Sequence, residues 1–162
     1  TKEVETPLGI SPCNTLDDEI VIASIMRAGL PIHNGILSIF DRSQSAFVAA
    51  YRKYGNDNRF TIEVEYASAP SLEDKVLILA DSMLATGSSL ELTYKRLSTP
   101  SEPIHTHIIS PIASSEGVEY LSKRLSHKRT TLWTAAIDEE LTRKSYIVPG
   151  LGDAGDLAYG AK

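Results

Sequence analysis

Short apolar runs alternate along the chain with segments of helical spacing, and no internal repeat or low-complexity stretch interrupts them. The runs that read as strands are Glu19–Met26 (EIVIASIM), Ala46–Tyr51, Arg59–Tyr66, Lys75–Ala80 (KVLILA), His105–Ser110 and Thr131–Ala136. KVLILA is apolar on both faces, as a central strand covered on each side must be. Between the runs, Pro31–Phe40 sets Ile32, Ile36, Leu37 and Phe40 on one side of a helix. Thr86–Leu97 does the same with Leu90, Tyr94 and Leu97, and Glu116–Leu125 with Val118, Leu121 and Leu125. Strands alternating with helices predict an α/β fold whose mostly parallel central sheet is flanked by helices.

Three segments fall outside this rhythm. Arg52–Arg59 (RKYGNDNR) has no apolar face and holds Gly55, Asn56, Asp57 and Asn58, so it reads as a hairpin tip or a flexible loop. The tail Pro149–Lys162 (PGLGDAGDLAYGAK), with Gly150, Gly152, Gly155 and Gly160, reads as too irregular for a helix or a strand. The first eighteen residues hold Pro7 and Pro12 and show no clear apolar period. Because the chain opens on Thr1, an upstream portion is expected to be missing.

Composition narrows the class. The 162 residues, 42% hydrophobic and 23% charged, suit one globular domain spanning 1–162. No apolar run approaches the roughly 18 residues of a membrane span, and no basic-then-apolar start marks a secretory signal, so no membrane partner and a cytoplasmic location are expected. Cys13 is the single cysteine, which excludes an intrachain disulfide or a cysteine metal site. Sixteen Lys and Arg against twenty-one Asp and Glu give a net charge of -5, the wrong balance for gripping nucleic acid through its phosphates. Any phosphate site must therefore be local.

The stretch Val76–Ser89 (VLILADSMLATGSS) is the place for one. A buried strand runs into Asp81, and a short loop of small residues, Ala85-Thr86-Gly87-Ser88-Ser89, opens a helix. Free N–H groups at a helix start bind anions, and ligands of open α/β sheets sit beyond the carboxyl ends of strands. The structural alternative is a helix merely capped by Thr86 or Ser88, with Asp81 as a turn residue; on pattern alone the two stand level. No Lys follows Gly87, so this is not a Walker A loop.

The same stretch resembles the phosphoribosyl pyrophosphate (PRPP) motif of type I phosphoribosyltransferases. Its Asp81-Ser82-Met83-Leu84-Ala85-Thr86-Gly87 is similar to the DPMLATG form found in uracil phosphoribosyltransferases. Ser24–Leu30 (SIMRAGL) resembles that family's pyrophosphate loop, and Tyr146–Gly155 (YIVPGLGDAG) its uracil-binding segment. The resemblance runs from about Glu19 to the C-terminus. It implies a type I phosphoribosyltransferase fold with a small C-terminal base-binding hood and a flexible hairpin loop. The implied reaction joins uracil to PRPP, releasing pyrophosphate and UMP, with Mg²⁺ held mainly by PRPP and water.

By the resemblance, Arg27, Arg52, Asp81 and Asp153 carry the catalysis. Arg27, Ala28, Gly29, Arg52, the run Asp81, Ser82, Met83, Leu84, Ala85, Thr86, Gly87, Ser88 and Ser89, and Asp153 hold PRPP. Ile147, Gly152, Asp153 and Ala154 contact uracil, while Tyr146 and Val148 read as packing residues. Family members are homodimers or larger, and GTP regulates some. Three positions depart from the usual pattern: Ser82 stands for Pro, Ser88 for Gly and Leu157 for Arg. Alternatives within the fold are an RNA-binding regulator of pyrimidine genes and a phosphoribosyltransferase for another nucleobase.

Other candidates read more simply as structure. His105 and His107 share one face of a strand but lack a third metal ligand of suitable spacing. Glu63 and Glu65 suit a polar hairpin edge. Asp138 suits a solvated turn, although it matches an aspartate common in the family.

Overall fold

The computed structural model describes residues 1–54 and 60–161, with the backbone alone for 51–54 and 60–63. The elements run in the order β1 (Lys2–Thr6), β2 (Gly9–Cys13), β3 (Ile20–Met26), α1 (Leu30–Leu37), β4 (Gln44–Tyr54), β5 (Phe60–Ser68), β6 (Val76–Ala80), β7 (Met83–Leu84) and α2 (Ser88–Ser98). They continue through β8 (His105–Ile109), β9 (Ile112–Ser114), α3 (Ser115–Arg124), β10 (Thr130–Trp133), β11 (Ala136–Asp138), β12 (Glu140–Leu141), β13 (Ile147–Val148) and α4 (Ala154–Tyr159).

Six strands form the main sheet in the order β10-β8-β6-β3-β4-β5, all parallel except β5, which returns antiparallel to β4. The two central strands explain why. Val21, Ala23, Leu77 and Leu79 are fully buried and join one core cluster with Leu90 and Leu97 of α2. Ile22 and Ile78, which alternate to the opposite face, are buried as well. Strands that must be covered on both sides need helical crossovers, and α1, α2 and α3 are those crossovers.

From β3 the chain winds one way through α1 to β4. From β6 it winds the other way, through α2 to β8 and through α3 to β10. The winding direction reverses between β3 and β6, so their carboxyl ends part and leave a crevice. β3 ends at Met26 and runs through a cis peptide into Arg27, and β6 ends at Ala80 and runs into Asp81. Beneath the crevice Gly29 is packed so tightly that a Cβ there would lie 2.8 Å from the carbonyl oxygens of both Ala80 and Ile25.

Beyond the main sheet three of its strands break and resume. β7, β9 and β11 form a second parallel sheet in the order β11-β9-β7, each continuing the line of β6, β8 and β10 after two residues. At one break Pro111 has no N–H to offer a ladder, and its carbonyl takes the N–H groups of Ala135 and Ala136 at 3.1 Å. Thr131–Ala136, read from sequence as one strand, is therefore two pieces of strand with Thr134 and Ala135 between them.

The N-terminal stretch, given no element from sequence, has one, and the reading of the tail needs correction. The N-terminal eighteen residues hold an antiparallel hairpin, β1 with β2. Its residues are exposed or half-exposed, so no buried face imposes an apolar period. The C-terminal tail contains α4, capped by the Asp153 side chain, which accepts from the Asp156 N–H at 3.0 Å, and closed by Gly160 at φ +81°. Its glycines hid a helix that Asp at the N-cap and Gly at the C-cap announce.

The hairpin expected around Arg52–Arg59 is β4 paired with β5, and residues 55–59 lie outside the described residues. Arg52 stands on β4 opposite Ile62 and not in the loop. No helix among the described residues is long and apolar enough to cross a membrane.

Gly29→Ala is expected to lower unfolding stability on the order of 2–3 kcal/mol, because two backbone carbonyls cannot yield to the new methyl. Urea unfolding checks this, and an unchanged midpoint would refute the packing account.

Candidate active site

The crevice at the reversal point is a cleft of about 570 Å³. One wall is the loop that follows β6: Asp81, Ser82, Met83, Leu84, Ala85, Thr86 and Gly87, with Ser89 and Leu90 of α2. Opposite lie Ala28 from the turn after β3 and Asp153, Ala154 and Gly155 from the tail, and Ser145 and Tyr146 close one side. Segments distant in sequence thus share one space.

The helix start tests the capped-helix reading of the Ala85–Ser89 loop. The N-cap of α2 is Gly87, with φ +80° and ψ -15°, and no side chain caps the helix. Thr86 Oγ1 and Ser88 Oγ bond to each other at 2.8 Å instead. The capped-helix alternative, with Thr86 or Ser88 as N-cap, is therefore corrected. The left-handed backbone at Gly87 turns the loop sharply, and the α2 N–H groups keep no side-chain acceptor, the condition for an anion site. Ser88, where the family usually has Gly, is ordinary helix, so its Cβ brings no backbone strain.

Two buried neighbours hold the loop that sequence reasoning did not single out. Ser114 Oγ donates to the Ala85 carbonyl at 2.5 Å and accepts from the Gly117 N–H at 2.9 Å. It caps α3 and anchors the loop with one hydroxyl, and its place just before a helical run was the available signal. Gly117 lies so close to the loop that a Cβ there would stand 2.3 Å from the Ala85 carbonyl oxygen.

Asp81 is the most perturbed acid of the cleft. Burial pushes its carboxyl up to about 7, against the N–H groups of Ser82 and Met83, which favour the anion. A carboxylate at the edge of ionisation is readily stabilised by a cation or a hydroxyl donor brought in by a ligand. Among the described residues no group of three or more His, Cys, Asp or Glu is arranged to hold a metal ion. The donor chemistry fits a magnesium ion bound chiefly through substrate oxygens and water, with Asp81 the carboxylate at hand.

The other expected residues separate into those at the cleft and those behind it. Ala28, Asp81 to Gly87, Ser89, Asp153 and Ala154 line it. Gly29 and Ser88 are not part of the lining. Arg27 faces α4, where Nη2 donates to Asp156 Oδ1 at 2.9 Å. Ile147 is buried in β13 and Gly152 is exposed, and neither belongs to the lining. Tyr146, read as a packing residue, lines the cleft instead. Asp138, read as a solvated turn, accepts from the Gly150 N–H through Oδ2 at 3.1 Å and so fastens the tail to β11. The Arg52 side chain lies outside the described residues.

His105 and His107 lie on β8 beside β10 in structural contacts. His105 Nε2 meets Thr131 Oγ1 at 2.9 Å, and Trp133 Nε1 donates to His107 Nδ1 at 3.1 Å.

The sequence profile described as uracil phosphoribosyltransferase matches residues 1–161. The chain belongs to the uracil phosphoribosyltransferase family. The uracil phosphoribosyltransferase of Porphyromonas gingivalis is 53% identical over 161 residues, covering 99% of this chain and 74% of that protein. That of Methanothermobacter thermautotrophicus is 36% identical over 160 residues, covering 98% of this chain and 72% of that protein. A solved structure of a protein from Aquifex aeolicus superimposes with a TM-score of 0.86 at 32% identity, over 98% of this chain and 74% of that one. A purine phosphoribosyltransferase from Pyrococcus horikoshii, at TM-score 0.54 and 16% identity over 75% of this chain and 79% of that one, shares the fold alone. The family resemblance and the type I phosphoribosyltransferase fold expected from sequence are borne out.

The raised Asp81 carboxyl makes folding pH-dependent in a definite direction. Its stability contribution is complete below its ordinary value near 4 and is lost as pH rises through about 7, where the half-buried group must ionise. Asp81→Asn is therefore expected to raise unfolding stability on the order of 2 kcal/mol at pH 8, and by progressively less below pH 7. Parallel urea titrations of parent and variant across pH check this; a gain independent of pH would refute it.

Proposed function

We propose that this chain, as one phosphoribosyltransferase domain, transfers the phosphoribosyl group of PRPP to uracil, giving UMP and pyrophosphate in pyrimidine salvage. The observation that carries the reading is the meeting, across one cleft, of an uncapped helix start at Gly87–Ser89 and the small-residue tail at Asp153–Gly155. The first suits a 5'-phosphate. The second offers backbone donors and acceptors suited to the edge of a pyrimidine.

The chemistry follows from the positions. As the bond from C1' to pyrophosphate opens, positive charge develops on the ribose and negative charge on the leaving group. The protein's task is to hold nucleophile and leaving group in line and to balance those charges. Asp81, at the end of β6, holds the ribose hydroxyls. The Ala85 to Ser89 loop clamps the phosphate that remains in the product. Ala28 and Gly29 shape the turn that receives the pyrophosphate, and Arg27 and Arg52 supply cationic charge to it. Mg²⁺, bound with PRPP, adds charge neutralisation for the departing pyrophosphate. Asp153 and Ala154 meet the base, with Gly152 and Ile147 contributing through the backbone of the tail. A base with the wrong hydrogen-bonding edge would leave a buried group unpaired, a strong ground for rejection.

Cytoplasmic location, assembly as a homodimer or larger homo-oligomer, and GTP as an allosteric ligand accompany this reading; the family resemblance supports them. No nucleic acid partner is part of it, in keeping with the net charge of -5.

Incubation with Mg²⁺, PRPP and each nucleobase in turn is expected to give product with uracil alone, and absence of UMP would overturn the proposal. Asp81→Asn is expected to lower kcat/KM for PRPP by about 10²-fold while the protein stays folded. Asp153→Asn, which can still cap α4, is expected to lose turnover on the order of tenfold or more with a normal melting temperature. Steady-state rates and thermal melts on the same preparations check both, and full activity in either variant would remove that residue from its role.

A further inference from the structure

Arg27 and Asp156 stand 129 positions apart in the chain and meet in the fold. Besides its bond to Asp156, the guanidinium reaches the Gly160 carbonyl through Nη1 and Nη2, each at 3.3 Å. It thus grips α4 at its first turn and at its C-cap. Nε of the same group is buried and has no partner among the described residues. Asp156 is held from the other side as well, because its N–H donates to the Asp153 carboxylate. At Gly155, between them, a Cβ would lie 3.2 Å from Asp153 Oδ1 and 3.8 Å from Arg27 Nη2. Arg27, Asp153 and Asp156 therefore surround one glycine of the cleft wall.

α4 has six residues, too few to persist as an isolated helix. This grip ties it to the end of β3. The pair is 35% and 38% exposed, so it adds little to global stability by itself. Its consequence is positional. Ala28, the next residue after Arg27, and Asp153, three before Asp156, both line the cleft, and a Cβ at Gly155 would lie 3.9 Å from the Ala28 Cβ. A planar guanidinium can keep Asp156 and Gly160 on some of its five N–H groups and still offer Nε to an anion.

We propose that Asp156 is a positioning residue that makes the two halves of the substrate site interdependent. It holds Arg27, in the pyrophosphate turn, against the helix that carries the base loop, so that an anion drawing on Arg27 and a base seated on Asp153–Gly155 select the same arrangement. The inference rests on the placement of pyrophosphate and base given under the proposed function.

Initial rates of UMP formation over a grid of PRPP and uracil concentrations give the factor by which one substrate at saturation lowers the dissociation constant of the other. The parent is expected to show a factor on the order of ten, and Asp156→Asn, nearly isosteric and uncharged, a factor of about one. The melting temperature should stay within a few degrees of the parent's. Asp156→Glu, which keeps the carboxylate, is expected to recover part of the coupling. Should Asp156→Asn unfold at the assay temperature, Asp156→Ser replaces it, and coupling is again expected to fall. Parent-like coupling in the variant, equal loss in Asp156→Asn and Asp156→Glu, or no coupling in a parent that makes UMP would each overturn the inference. A parent that makes no UMP refutes the functional reading instead. Calorimetric titration of uracil with and without magnesium pyrophosphate then measures the coupling without turnover, by the same criteria.

Discussion

Strands β3 and β6 have no polar face, and the arrangement of the whole molecule follows from having to cover both of their sides at once. Val21, Ala23, Leu77 and Leu79 bury toward one layer while Ile22 and Ile78 bury toward the other. Each parallel neighbour added outside that pair is reached through a helix, α1 from β3 and α2 from β6, and the two crossovers run outward in opposite directions. The reversal separates the ends of the two strands by a crevice, and the backbone groups there have finished pairing with each other. The site is thus a consequence of where the core stops.

The loops at that crevice are held by contacts that leave their binding faces free. Ser114 anchors the Ala85 carbonyl, Gly117 allows α3 to press against the same loop, and Gly87 takes the left-handed backbone that opens α2 without a side-chain cap. On the other side Asp138 fixes the tail at Gly150, and Arg27 fixes it at Asp156 and Gly160. Rigid support from behind, with small residues in front, lets a polyanion approach the backbone in a protein of net charge -5. The acidic surface keeps long-range attraction weak, so binding depends on local dipoles and a few placed charges. Asp81 shows the strain of this design, since the fold holds a carboxyl where its ionised form is poorly solvated.

Much of this was legible in the residues. The alternation of KVLILA with helical spacing announced a parallel α/β sheet. The glycine and hydroxyl run after Asp81 marked the loop that opens α2 at the cleft, where small residues leave backbone N–H groups open to an anion. Legibility failed where burial supplied no period, as in the β1–β2 hairpin, and where glycines masked a capped helix, as in α4. It failed also where one strand is cut into two pieces by a proline that belongs to its neighbour.

The sequence by itself determined the fold class, the family and the segments that form the site, because those depend on local patterns of burial and on residue types with few conformational choices. What only the tertiary structure decided is how the segments answer one another. That Arg27 turns to α4, that Tyr146 lines the cleft while Ile147 lies under it, and that Ser114 and Asp138 hold loops remote in the chain all depend on contacts between distant residues. No spacing rule encodes such contacts, since each arises only when two independently folded pieces are brought to the same end of the sheet.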